Sequence, residues 1–99
     1  MQQYEAACFV REMGCTEAEW LGWLPAALGD PAAQLDAGAA SVRLGTGVLH
    51  LSWQVTAPRL IGLIRIPVLR VSFRFEAVDA LQRHAFMTRF DLYMQRGGG

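Results

Sequence analysis

From Val48 to Phe75 the chain reads VLHLSWQVTAPRLIGLIRIPVLRVSFRF, and apolar and polar residues alternate along most of it. A period of two is what a pleated strand with one buried face imposes. Leu49, Leu51, Trp53 and Val55 fall on one side and His50, Ser52, Gln54 and Thr56 on the other, so the pattern predicts a strand over 48–56. In 68–75 the alternation is strict, with Leu69, Val71, Phe73 and Phe75 opposed to Arg70, Ser72 and Arg74. Residues 60–66 form a further predicted strand between a turn at Ala57, Pro58 and Arg59 and Pro67, which lacks the donor a ladder needs and so marks a turn or an edge bulge before 68–75. Both of its faces are apolar, which calls for cover on both sides or for a second chain. Upstream, 41–44 reads as a short strand joined to 48–56 by Gly45, Thr46 and Gly47. Residues 30–40, rich in Ala, Asp and Gly without period, read as a surface connection.

The flanking segments change to a helical period. Thr16 and Glu19 have the spacing of a capping box, and Trp20, Leu21, Leu24 and Leu28 then form an apolar side with Trp23 at its margin. Pro25 is expected to kink or restart this helix, and Gly29, Asp30 and Pro31 to end it. Asp79 and Gln82 open a second helix running to about Gln95, whose stripe of Phe86, Met87, Phe90, Tyr93 and Met94 is the strongest in the chain. Residues 4–13 fit either a helical stripe or a strand. Their shortness, Gly14 and the better helix that follows favour a strand.

These elements predict one α+β domain over 1–96: a single-layer antiparallel sheet of four to five strands with two helices packed on one face, in β-α-β-β-β-β-α order. That order is similar to helix-grip and TATA-box-binding-protein-like folds, a resemblance that implies architecture and no activity. Residues 97–99 are expected to be a flexible glycine tail.

Composition adds a reason to look for a partner. Of 99 residues, 53% are hydrophobic, more than one core of this size comfortably hides. The net charge is zero, yet residues 1–42 carry six acids and one arginine while 43–99 carry eight arginines and three acids. Such a split favours contacts between copies or capture of an anion, whereas a general nucleic-acid binder carries an overall basic excess. Every basic residue other than the two histidines is Arg, and with abundant Ala and no Asn this suits a GC-rich bacterial genome. Two cysteines, no basic-then-apolar leader and no long apolar run read as a cytoplasmic chain that neither enters a membrane nor needs disulfides.

Candidate chemistry is sparse. Alternation should bring Arg43, His50, Arg65, Arg70 and Arg74 to the open side of the sheet, beside Ser52, Gln54 and Ser72, where guanidinium groups could grip a carboxylate or phosphate. The plainer reading is an ordinary solvated face, and without exposed aromatics it offers no platform for stacking bases. Ile61 and Leu63 should interrupt that face and are the candidate interface. Cys8, Cys15, His50 and His84 lack the local pairs of a structural zinc site, so no metal and no cofactor are expected, and no catalytic residue is assigned. The terminal Arg96-Gly97-Gly98-Gly99 resembles the tails of ubiquitin-like and sulfur-carrier proteins, which implies a carboxylate activated by adenylation. Its approach from a helix makes a C-cap glycine and frayed end the simpler reading. The expectation is a non-enzymatic bacterial accessory or interaction domain that self-associates as a homodimer; the alternatives are a small domain binding an anionic or apolar ligand and a glycine-tailed carrier.

Overall fold

The computed structural model describes residues 6–30 and 33–96. Its elements are β1 (Cys8–Met13), α1 (Glu17–Leu28), β2 (Gln34–Asp36), β3 (Ala39–Leu44), β4 (Gly47–Ile61), β5 (Ile64–Glu76) and α2 (Ala80–Arg96). The strands make one antiparallel sheet in the order β1-β5-β4-β3-β2. The architecture is therefore the α+β layer that the periodicities predict. The glycine tail lies outside the described residues, as do Tyr4 and Glu5 of the first expected strand.

The first strand is a strand: Cys8 to Met13 pair with Arg74 to Leu69. It leads into α1 through Thr16, whose hydroxyl accepts from the Glu19 backbone N–H at 3.1 Å while the Glu19 carboxylate accepts from the Thr16 N–H at 2.9 Å. The reciprocal cap satisfies two of the donors that every helix start leaves open. At the other end Gly29 adopts φ +71° and donates to the Pro25 carbonyl. The helix runs unbroken through Pro25, contrary to the expected restart, because the missing donor falls on an exposed turn near the C-terminal end. In α2 the Asp79 carboxylate caps the Gln82 N–H at 2.8 Å.

Both helices cover the same face. Leu49, Leu51 and Trp53 of β4 and Leu69, Val71, Phe73 and Phe75 of β5 are buried beneath Trp20, Leu24 and Leu28 of α1 and Phe86, Met87, Phe90 and Met94 of α2. Trp20 meets Trp53 and Phe90 edge-on at 5.5 and 6.0 Å, and Phe90 meets Phe73 at 5.5 Å. Such pairs add about 0.5–1.5 kcal/mol each beyond the area they bury. Leu21 and Tyr93, expected on the apolar sides, are partly exposed, while Ala27 takes a buried place in α1.

Three expectations about the strands are corrected. Residues 34–36 of the supposed surface connection form β2, because Gly38, at φ +73°, turns the chain back so that Gln34–Asp36 pair with Ser41–Ala39. Ala57, Pro58 and Arg59 are no turn, and Pro67 marks no turn either but sits opposite a bulge within one continuous strand. Instead β4 and β5 are one long hairpin, with the register passing from Thr56 opposite Val68 to Arg59 opposite Ile66. Three steps on β4 against two on β5 make a bulge, which absorbs one extra residue. Both prolines are tolerated because β3 pairs only with residues 47–52 of β4 and β1 only with residues 69–74 of β5, so no third strand asks for their donors. The turn lies at Gly62 and Leu63, with Gly62 at φ +59° in the position where a type II′ hairpin requires glycine.

Candidate functional site

The long hairpin gives the molecule two distinct surfaces. On the open face, beyond the reach of the helices, His50 pairs across with Arg74, Ser52 with Ser72, and Gln54 with Arg70. Arg43 lies at the far end, opposite Val48, and lines a separate hollow with Gln34 and Ser41. Arg70 makes no hydrogen bond or ion pair among the described residues and borders a depression of about 190 Å³ with Ser52, Trp53, Gln54 and Ser72. His50 Nε2 donates to Glu76 Oε1 at 2.8 Å. That hydrogen bond, followed by the charge of His50 and then that of Arg74, holds the Glu76 carboxyl below its usual range. Arg74 is thus partly answered by a carboxylate, and the face carries separate small polar features instead of one converging anion cradle.

Arg65 is not among them. In the hairpin's outer part it pairs with Leu60, and it lies on the helix side with Val55, opposite the face that carries Arg70 and Arg74. The expected turn or bulge at Pro67 would have reset the alternation; a continuous β5 keeps odd-numbered residues on the helix side. Ile61, paired with Ile64, does lie on the side of Arg70 and Arg74, but at the hairpin's end and not amid the polar residues, and Leu63 is in the turn.

The second surface is this projecting part of the hairpin, an arm from about Gln54 to Val68. Beyond the ends of β1 and β3 its two strands have only each other, and at ~3.3 Å per residue the arm extends roughly 20 Å. Leu63 is fully exposed, and Val55, Leu60, Ile61 and Ile64 are each more than half exposed. At the base, Arg59 donates to Glu12 of β1 at 3.3 Å, and Thr56 Oγ1 donates to the Val68 carbonyl. On the helix side of that base lies a groove of about 340 Å³, walled by Val55, Pro58, Pro67 and Val68, with Cys15, Thr16 and Glu17 from the start of α1 opposite them. Glu17 is fixed there by accepting from Trp53 Nε1 at 2.9 Å. Burial, and then the nearby Glu19 charge, push the Cys15 thiol up.

The groove was not foreseen. Period-two reasoning places Val55 inward, but α1 starts too far back to cover it, and where a helix lies over a sheet is a tertiary fact. The double-sided apolar composition of 60–66 was the available signal for the arm.

Among the described residues no three His, Cys, Asp or Glu side chains come together as a metal would require, and no helix is long and apolar enough to cross a membrane. No protein-family model matches the chain, and no curated protein matches it by sequence.

Proposed function

We propose that this chain is a non-enzymatic interaction domain that self-associates as a homodimer through the β4–β5 arm. The observation that carries the reading is the exposure of Val55, Leu60, Ile61, Leu63 and Ile64 together on one projecting element. Val55 and Leu60 lie on the helix side of the arm and Ile61 and Ile64 on the other, with Leu63 at the turn between them, and together they expose roughly 600 Å² of apolar surface. None of these side chains is needed to close the core, which is complete at Trp53 and Leu69. The free thiols of Cys8 and Cys15 suit the reducing cytoplasm of a bacterial cell. A second reading, capture of a small anion, is supported by Arg70, which has no ion pair among the described residues and stands beside Ser52 and Ser72.

Sedimentation equilibrium tests the first reading. The protein is expected to dimerise in a concentration-dependent way, and Leu63→Glu is expected to make it monomeric with unchanged circular dichroism. A wild-type protein that remains monomeric at several hundred micromolar removes the proposal.

A further inference from the structure

The arm carries both a projection and a recess, and the two match. Its tip, Leu60 to Ile64, is an apolar knob. Its base bears an apolar groove about four or five residue pairs away, roughly 15 Å along the hairpin. Two such arms laid side by side in opposite directions, about a two-fold axis near the Arg59–Ile66 pair, bring each tip over the other's base. We infer that in the dimer the Leu60–Ile64 tip of each protomer fills the groove at the base of the partner's arm. This rests on the reading that the arm self-associates, and it specifies how.

Three observations favour this arrangement over others. The arm's outer edges are unpaired and would ordinarily invite strand addition. Pro58 interrupts one edge and Pro67 the other, each removing a backbone donor, so contact through side chains replaces contact through ladder hydrogen bonds. Charge points the same way. The arm itself, 54–68, carries Arg59 and Arg65 and no acid; Arg59 is held by Glu12, while Arg65, next in sequence to the tip, lines the groove across from Glu17 of the helix start. A second copy laid antiparallel brings its Arg65, beside the incoming tip, toward Glu17 at the helix start. Area is of the right order: the roughly 600 Å² of exposed apolar arm on each protomer approaches the ~800 Å² per partner of a stable interface.

The arrangement predicts which residues meet. Val55 and Leu63 of one chain are too far apart along the arm to be bridged, since a disulfide needs Cα atoms within about 7 Å. In the proposed dimer the partner's Leu63 lies over Val55. The test uses protein free of native thiols, Cys8→Ser with Cys15→Ala because Cys15 lines the groove, carrying Val55→Cys and Leu63→Cys together, oxidised with copper phenanthroline and read on non-reducing gels, with each single variant in parallel. The double variant is expected to become a covalent dimer at least tenfold faster than either single variant. Equally fast crosslinking by Leu63→Cys alone means tip-to-tip contact and overturns the arrangement while leaving self-association intact. A chain that sediments as a monomer overturns both. Binding of that monomer to phosphatidylserine-containing vesicles, lost in Leu63→Glu, would show that the arm meets a lipid surface instead.

Discussion

Among the described glycines, Gly47 is the one most tightly enclosed by backbone, and replacing it gives a sharp test of the geometry. It opens β4 directly under the connection from β5 to α2, and a Cβ there would lie 2.3 Å from the Ala77 carbonyl oxygen and 2.5 Å from that of Glu76. Both obstacles are backbone, so the connection would have to open by about 1 Å. Overpacking of this kind costs typically 1–3 kcal/mol, and a rigid neighbour puts it near the top of that range. Alanine regains roughly 0.5–1 kcal/mol of strand preference over glycine. The net loss is about 2 kcal/mol, which for a domain of this size lowers Tm by roughly 8–16 °C. The connection has little freedom to yield, because Ala77 already sits at φ +58°, a left-handed conformation that costs a non-glycine residue about 1 kcal/mol. Ala77→Gly should therefore raise Tm by a few degrees, relief of strain slightly exceeding the added entropy of the unfolded chain. It should also restore part of the Gly47→Ala loss, since contacting sites are not additive. Thermal unfolding followed by circular dichroism at one fixed protein concentration measures all four proteins. A Gly47→Ala variant within 2 °C of wild type refutes the close approach, and an Ala77→Gly variant that melts lower refutes the strain.

Other predictions follow from the side chains. Arg11 of β1 holds both carboxylate oxygens of Asp91 on α2 while its guanidinium lies 5.6–5.7 Å from the Phe9 and Phe73 rings. Arg11→Met should cost about 1–2 kcal/mol in urea unfolding, and Arg11→Lys should recover only part of it because the two-pronged contact is lost. Cys8 is exposed and Cys15 buried, so a thiol reagent should modify one cysteine in the native protein and two in denaturant. With its thiol pushed up by burial, Cys15 stays protonated in the native state while the unfolded thiol ionises. The native state then binds more protons, so stability should fall as pH rises through the ordinary thiol range, and Cys15→Ala should flatten that fall. Glu76 behaves oppositely: its carboxyl, held low by His50, contributes stability above the usual glutamate range that is lost as pH falls through its native value. Glu76→Gln should remove that part of the acid dependence.

The sequence carried the inward side of the sheet well because strands have a fixed period. Trp53, Val71, Phe73 and Phe75 are buried, and Arg70 and Arg74 share the other face, as alternation requires. Caps were equally legible: Thr16 with Glu19 and Asp79 with Gln82 act within four residues and depend on nothing distant. Pro58 and Pro67 misled because a proline's effect on a strand depends on whether a neighbour wants its donor. That depends on how far β1 and β3 extend, which no local pattern contains. Reading a turn at Ala57, Pro58 and Arg59 divided one long hairpin, put Arg65 on the wrong side of it, and set Ile61 and Leu63 mid-face when they lie at its end. β2 was missed for a related reason: three residues are too few to show a period, and only pairing with β3 makes Gln34–Asp36 a strand.

The arm is best understood as a mismatch of lengths. β4 has 15 residues and β5 has 13, which at ~3.3 Å each span roughly 43–50 Å. The helices have 12 and 17 residues, and at 1.5 Å each span roughly 18 and 25 Å. Helices of that length cannot cover the full run of the hairpin, so its far end must lie beyond the core whatever side chains it carries. Polar residues there would leave folding unaffected, which makes the apolar choice at Leu60, Ile61, Leu63 and Ile64 a cost that folding alone does not explain. At ~25 cal/mol per Å², covering even half of the exposed 600 Å² corresponds to several kcal/mol gained only by association. Replacing all four with Thr or Ser should accordingly leave the monomer's unfolding free energy within about 0.5 kcal/mol of that of the Leu63→Glu monomer, and abolish assembly. If the fourfold variant instead unfolds far more easily, the tip is covered from within its own chain, and the mismatch has been closed internally.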